Sequence, residues 1–80
     1  MTVGQIEKRL RALSEGKELP WNKVVTLVEH FGATVQAPSG GSHYKVFIKG
    51  KPTLTIPVHN GKIKKVYAKM ISDYLTEFMN

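Results

Sequence analysis

The chain has 80 residues, 41% of them hydrophobic, with three histidines, no cysteine and a formal net charge of +6. A chain of this length forms one small domain, and the lack of cysteine excludes disulfides and thiol chemistry. No apolar run approaches the roughly 20 residues needed to cross a bilayer, and the N-terminus lacks the pattern of a signal peptide. These features predict a cytoplasmic protein without a membrane partner.

Positive charge is concentrated in the second half of the sequence. Residues 41–80 hold seven lysines against Asp73 and Glu77, which gives this half a net charge of +5. Such an asymmetry favours a polyanionic partner, and nucleic acid is the first candidate. A lysine-rich surface that only keeps the protein soluble would explain the same composition.

Two helices are predicted in the first part of the chain. Thr2 and Gln5 have the spacing of a capping box, and apolar residues follow at helical intervals until Gly16. Pro20 suits the first turn of a second helix. Its apolar positions between residues 21 and 31 recur at helical spacing, so this helix must lie in the core.

Three alternating segments, at residues 33–37, 42–49 and 53–59, then predict short strands. The even-numbered apolar residues of the last two segments must share the buried face, which predicts an antiparallel hairpin. A three-residue loop pairs Lys49 with Thr53 and places His43 directly opposite His59. Two imidazoles would then lie side by side on the lysine-bearing face, although Pro57, which lacks an N–H, allows a shift of register.

The last segment, residues 63–78, has the clearest helical spacing, with Phe78 as its final apolar position. Lys62, Lys64 and Lys65 cluster at its start, where the helix dipole favours negative groups. A phosphate bound to the N–H groups of the first turn would explain these lysines. The alternative is three solvated lysines at a flexible helix entry.

The order helix, strand, strand, strand, helix from Pro20 onward carries Gly41-Ser42-His43 at the middle strand and Ile56-Pro57-Val58-His59 at the third. This pattern resembles the HicA toxins of type II bacterial toxin-antitoxin systems. These toxins are small mRNA interferases that a HicB antitoxin neutralises. The resemblance implies an α+β fold like a double-stranded RNA-binding domain, with a three-stranded antiparallel sheet and helices on one face. Residues 20–80 would form this core, and residues 1–19 would add a helix to the single domain.

The resemblance also implies RNA cleavage without a metal or other cofactor. His43 would be the catalytic residue, as general base or acid, and Gly41 would shape the turn that presents it. His59 is the second candidate for proton transfer because of its predicted place opposite His43. The lysines of residues 64–69 resemble the phosphate-binding cluster of double-stranded RNA-binding domains. The predicted RNA-binding residues are Gly41, Ser42, Lys45, Lys62, Lys64, Lys65 and Lys69.

The sequence departs from the family pattern in its first 19 residues and at Tyr44, where many members carry another histidine. Without the resemblance, the ordinary interpretation of His43 is a histidine at a strand start that hydrogen-bonds a loop carbonyl. Two other functions fit the residues. One is a non-catalytic double-stranded RNA-binding module, whose lysines grip the backbone while Phe47 stacks on a base. The other is an interaction protein whose exposed Phe47 and basic strand face pack against an acidic partner.

Overall fold

Three helices and a three-stranded antiparallel sheet make up this computed structural model, which describes residues 1–77. The elements in chain order are α1 Val3–Ser14, α2 Trp21–His30, β1 Thr34–Gln36, β2 His43–Phe47, β3 Leu54–Pro57 and α3 Lys65–Thr76. The strand order is β1-β2-β3, so β2 is the central strand. The predicted α+β fold is confirmed. Phe78, the predicted last apolar residue of the final helix, lies outside the described residues.

The first helix begins where its capping box predicted, and the second begins one residue after Pro20, which was predicted to lie in its first turn. The hydroxyl of Thr2 accepts the Gln5 N–H at 3.1 Å, and the Gln5 side chain accepts the Thr2 N–H at 3.0 Å, which confirms the capping box. Pro20 is the N-cap of α2, and the N–H of Trp21 donates to the carbonyl of Gly61 at 2.8 Å. No helix within residues 1–77 is long and apolar enough to span a membrane.

One face of the sheet is buried against the helices, and the other is open. Val46 and Ile56 are fully buried, and Ile48 and Val58 are nearly so. On the opposite face of β2 and β3, His43, Lys45, Phe47 and Thr55 are exposed and Pro57 is half-buried. The even-numbered residues of β2 and β3 therefore form the core face, as the alternation predicted.

The predicted register of the hairpin is wrong by two residues. The structure pairs His43 with Pro57 and Val46 with Leu54, so His59 does not lie opposite His43. The buried face is unchanged because side chains alternate along a strand with a period of two residues.

A tyrosine of α3 explains the shifted register. The N–H of Ile48 donates to the Tyr74 hydroxyl at 3.1 Å, and this hydroxyl donates to the carbonyl of Pro52 at 2.7 Å. The Lys51 ammonium donates to the Tyr74 carbonyl at 2.7 Å and to the carboxylate of Glu77 at 2.6 Å. The hydroxyl thus joins Ile48 to Pro52, which face each other in the observed register, whereas the predicted register would place Ile48 opposite Leu54.

We expect Tyr74→Phe to lower the free energy of unfolding by about 1–3 kcal/mol, because the buried N–H of Ile48 loses its acceptor. Urea denaturation measures the change. Tyr67→Phe is the control, because the hydroxyl of Tyr67 makes no hydrogen bond within residues 1–77. An equal loss of stability in the two variants would show that the Tyr74 hydroxyl does not hold the loop.

The N-terminal helix shares the core of the domain. Leu13 on α1 is fully buried and Leu10 is 8% exposed, and α1 packs mainly against α3. Beyond α1, the aliphatic part of the Lys65 side chain lies against Gly16, and a Cβ at this position would have to displace it. Residues 1–19 thus contribute to the same hydrophobic cluster as the sheet and the other helices.

Candidate functional site

A glycine-containing loop leads into the start of β2. Gly41 has a φ of 85°, in the left-handed region that favours glycine, and no atom lies within 4 Å of a Cβ built on it. The residue is therefore needed for its backbone conformation and not for space. The carbonyl of Ser42 accepts the N–H of Val58 at 2.8 Å, which anchors the end of the loop to the third strand.

Gly41→Ala should cost about 1–2 kcal/mol of stability, because a side chain strains the left-handed backbone. Gly40→Ala is the matched control: a Cβ at Gly40 also meets open space, and its φ lies outside the left-handed region. Thermal or urea unfolding of the two variants measures the difference. Equal stability of the two variants would contradict a conformational role for Gly41.

His43 is the first residue of β2 and is exposed on the open face. Within residues 1–77, its imidazole has no hydrogen-bond partner, so the histidine is not bound to a loop carbonyl. The ring lines a depression of about 350 Å³ together with Gln36, Lys45 and residues 37–40. A titratable group and a fixed positive charge therefore border the same accessible space.

The strand register arranges the open side chains in rows across the sheet. Lys45 lies between Gln36 of β1 and Thr55 of β3, and the next row pairs Thr34 with Phe47. Along β2, successive residues on one face are about 7 Å apart. We call this surface the open sheet face; it consists of Thr34, Gln36, His43, Lys45, Phe47, Thr53 and Thr55. The positions of Gln36 and Thr55 beside Lys45 were not predicted, because they depend on how the strands pair.

His59 belongs to a different depression from His43. Asn60 and Gly61 both have positive φ, 54° and 72°, and form a tight turn. Two hydrogen bonds of 2.9 Å between the backbones of His59 and Lys62 close this turn. Beside this turn lies a depression of about 420 Å³. We call the four basic residues that line it the lysine cluster: His59, Lys62, Lys64 and Lys65.

The start of α3 is poor in groups that would balance the lysines. Lys64 is the N-cap residue, no side chain caps the helix, and its first turn contains no acidic residue. Lys62 lies 3.6 Å from the carboxylate of Glu18, and both side chains are well exposed, so this pair is weak. Lys69 is exposed one turn beyond Lys65, on the same side of the helix.

The charge pattern extends beyond this cluster. Between Glu29 and Asp73 the chain contains no acidic residue, whereas it contains seven lysines and three histidines. This stretch includes the whole sheet and the start of α3. Both depressions therefore have more basic than acidic residues in their lining, with Glu18 as the acidic residue of the second one, and such charge favours polyanions.

Tyr44, the residue after His43, faces the helices. Its ring centroid lies 5.2 Å from that of Trp21, and the planes are tilted by 59°. Aromatic pairs at this distance stabilise a core. Tyr44 thus secures the start of β2 from the buried side.

Within residues 1–77, no three histidine or acidic side chains lie close enough together to hold a metal ion.

One comparison with known proteins identifies a family for this chain. The sequence model of a family described as "HicA toxin of bacterial toxin-antitoxin" matches residues 21–76. Comparison with curated proteins and with solved structures gives no significant match. The matched span runs from the first residue of α2 to the last residue of α3, and it contains every predicted site residue. Because it covers more than half of the chain, the protein belongs to the HicA toxin family of bacterial toxin-antitoxin systems.

Proposed function

We propose that this protein is the toxin ribonuclease of its system, an mRNA interferase that cleaves RNA without a metal. One observation carries the proposal: in a member of a toxin family, an exposed imidazole without a protein partner lies beside Lys45 at the start of the central strand. Imidazole is the side chain best suited to proton transfer near neutral pH. An RNA strand is the polyanion that this basic surface fits.

The proposed chemistry is attack by the ribose 2′ oxygen on the adjacent phosphorus. His43 takes the 2′-OH proton as general base, the bond from the 2′ oxygen to phosphorus forms, and the bond to the 5′ oxygen breaks. Water protonates the departing 5′ oxygen, because the site is open to solvent. Lys45 stabilises the negative charge that develops on the phosphate oxygens. Electrostatic stabilisation of this kind is usually the largest single contribution to catalysis.

The lysine cluster would hold the neighbouring RNA backbone. Lys62, Lys64 and Lys65 flank the uncapped start of α3, where backbone N–H groups also favour a phosphate. His59 enters this proposal as a phosphate contact and not as a second proton-transfer group, because Pro57 occupies the position opposite His43. Ser42 and Lys69 would extend these contacts at the two ends of the basic surface.

The family implies an antitoxin that neutralises the toxin. We propose that this partner is of the HicB type, and that the toxin acts on mRNA in the cytoplasm when the antitoxin is absent.

A non-catalytic double-stranded RNA-binding module is the second candidate, favoured by the lysines at the start of α3. Incubation of the purified protein with RNA in the presence of EDTA separates the two functions. RNA fragments indicate the ribonuclease. Intact RNA with a salt-sensitive shift in a gel indicates the binding module, because binding to phosphates weakens as salt rises.

A further inference from the structure

Phe47 lies on the open sheet face with 44% of its surface exposed. The other large hydrophobic residues with such exposure within residues 1–77 are aliphatic and lie on the helices or at the N-terminus: Met1, Val3, Val66 and Met70. Phe47 is thus the aromatic ring that the described part of the fold presents to solvent on its sheet side.

Hydroxyl and amide groups surround this ring. Phe47 pairs with Thr34 across the sheet. It lines a depression of about 690 Å³ with the half-buried Val35 and with four polar or charged residues, Gln36, Lys45, Thr53 and Thr55. The centre of a protein interface is usually formed by several apolar side chains that exclude water together. A single ring among hydrogen-bonding groups matches instead a platform for a nucleobase, which offers one flat face for stacking and polar edges for recognition.

The spacing along β2 suits a strand of RNA that runs beside it. His43 and Phe47 are four residues apart on the same face, so their Cα atoms are about 13 Å apart, with Lys45 midway. A phosphate beside Lys45 would leave a neighbouring base within reach of Phe47. A base within a duplex is covered by its stacked neighbours, so only an unpaired base can lie flat on this ring.

We propose that the open sheet face binds single-stranded RNA, with an unpaired base stacked on Phe47 and its adjoining phosphate held by Lys45 next to His43. The inference rests on the proposed ribonuclease function and specifies the form of its substrate. Gln36 and Thr55, on either side of Lys45, are the groups placed to contact the edge of the base or its ribose. The absence of carboxylates from the sheet strands favours this polyanionic occupant.

The test measures binding in a His43→Ala background, so that the RNA stays intact. Fluorescence anisotropy gives the affinity for a labelled single-stranded oligoribonucleotide and for the duplex of the same sequence. Phe47→Ala and Phe47→Leu should each weaken single-strand binding about fivefold or more, whereas Phe47→Trp should retain it. Duplex binding should be weaker and unaffected by these changes. The fluorescence of a 2-aminopurine base in the bound single strand should be quenched when Phe47 is present, and this quenching should be lost in Phe47→Ala.

Met70→Ala on α3 is the matched control, because Met70 is 39% exposed and lies on the helical layer. Its RNA affinity should equal that of the parent. The inference fails if Phe47→Leu binds single-stranded RNA as tightly as the parent does. It also fails if duplex RNA binds as tightly as the single strand and loses as much affinity in the Phe47 variants. It also fails if the Phe47 variants keep RNA binding and lose only the antitoxin, since the face would then be a protein-docking surface.

These outcomes separate the inference from the proposed function. If the parent protein binds single-stranded RNA through Phe47 but never cleaves it, the ribonuclease proposal is wrong and the proposed binding site stands. If the parent protein cleaves RNA through His43 and the Phe47 variants leave RNA affinity unchanged, only the proposed stacking site is wrong.

Discussion

Replacement of His43 by alanine is expected to lower the rate of RNA cleavage by about 10²- to 10⁴-fold, the usual contribution of a general base. The free energy of unfolding should change by less than about 0.5 kcal/mol, because the side chain is exposed and has no hydrogen-bond partner within residues 1–77. Cleavage of a labelled RNA in EDTA and thermal unfolding of the same preparations measure the two effects. Growth inhibition by the expressed toxin should be lost together with cleavage.

The other two histidines provide the controls for this experiment. His30 is exposed at the end of α2, away from both depressions, so His30→Ala should cleave RNA at the parent rate. His59→Ala should raise KM and leave kcat nearly unchanged, because His59 lies in the lysine cluster. Full activity of the His43 variant, or loss of its fold, would show that His43 is not the base.

Leu13→Ala should lower the free energy of unfolding by about 2–5 kcal/mol, because it removes a fully buried side chain from the contact of α1 with the core. A domain of this size has a total stability of about 4–12 kcal/mol, so the loss is a large share of it. Urea denaturation followed by far-UV circular dichroism measures the change. The result matters because α1 lies outside the span that matches the family.

Val3→Ala on the same helix is the matched control. Val3 is 71% exposed, so its truncation should change stability by less than about 0.5 kcal/mol. If the Leu13 and Val3 variants are equally stable, α1 is an appendage and not part of the folding unit.

Local patterns in the sequence were enough to predict the helices, the three strands and the exposure of His43. The capping box at Thr2 and Gln5 depends on residues three apart, and alternation along β2 depends on neighbours two apart. Each of these predictions is confirmed, because the interactions on which it depends lie within a single helix or strand. The resemblance to the HicA toxins rested on the same kind of local motif, and the family match agrees with it.

The tertiary structure alone decided the register of the hairpin and the surroundings of both candidate histidines. The register depends on the hydroxyl of Tyr74, which reaches Ile48 from 26 residues further along the chain. His59 lies with the lysines of α3 because Pro57 takes the place opposite His43. A strand can slip by two residues without moving its apolar side chains out of the core, so hydrophobic alternation cannot choose between the two registers. Contacts between distant segments make that choice, and they form only when the helices pack on the sheet.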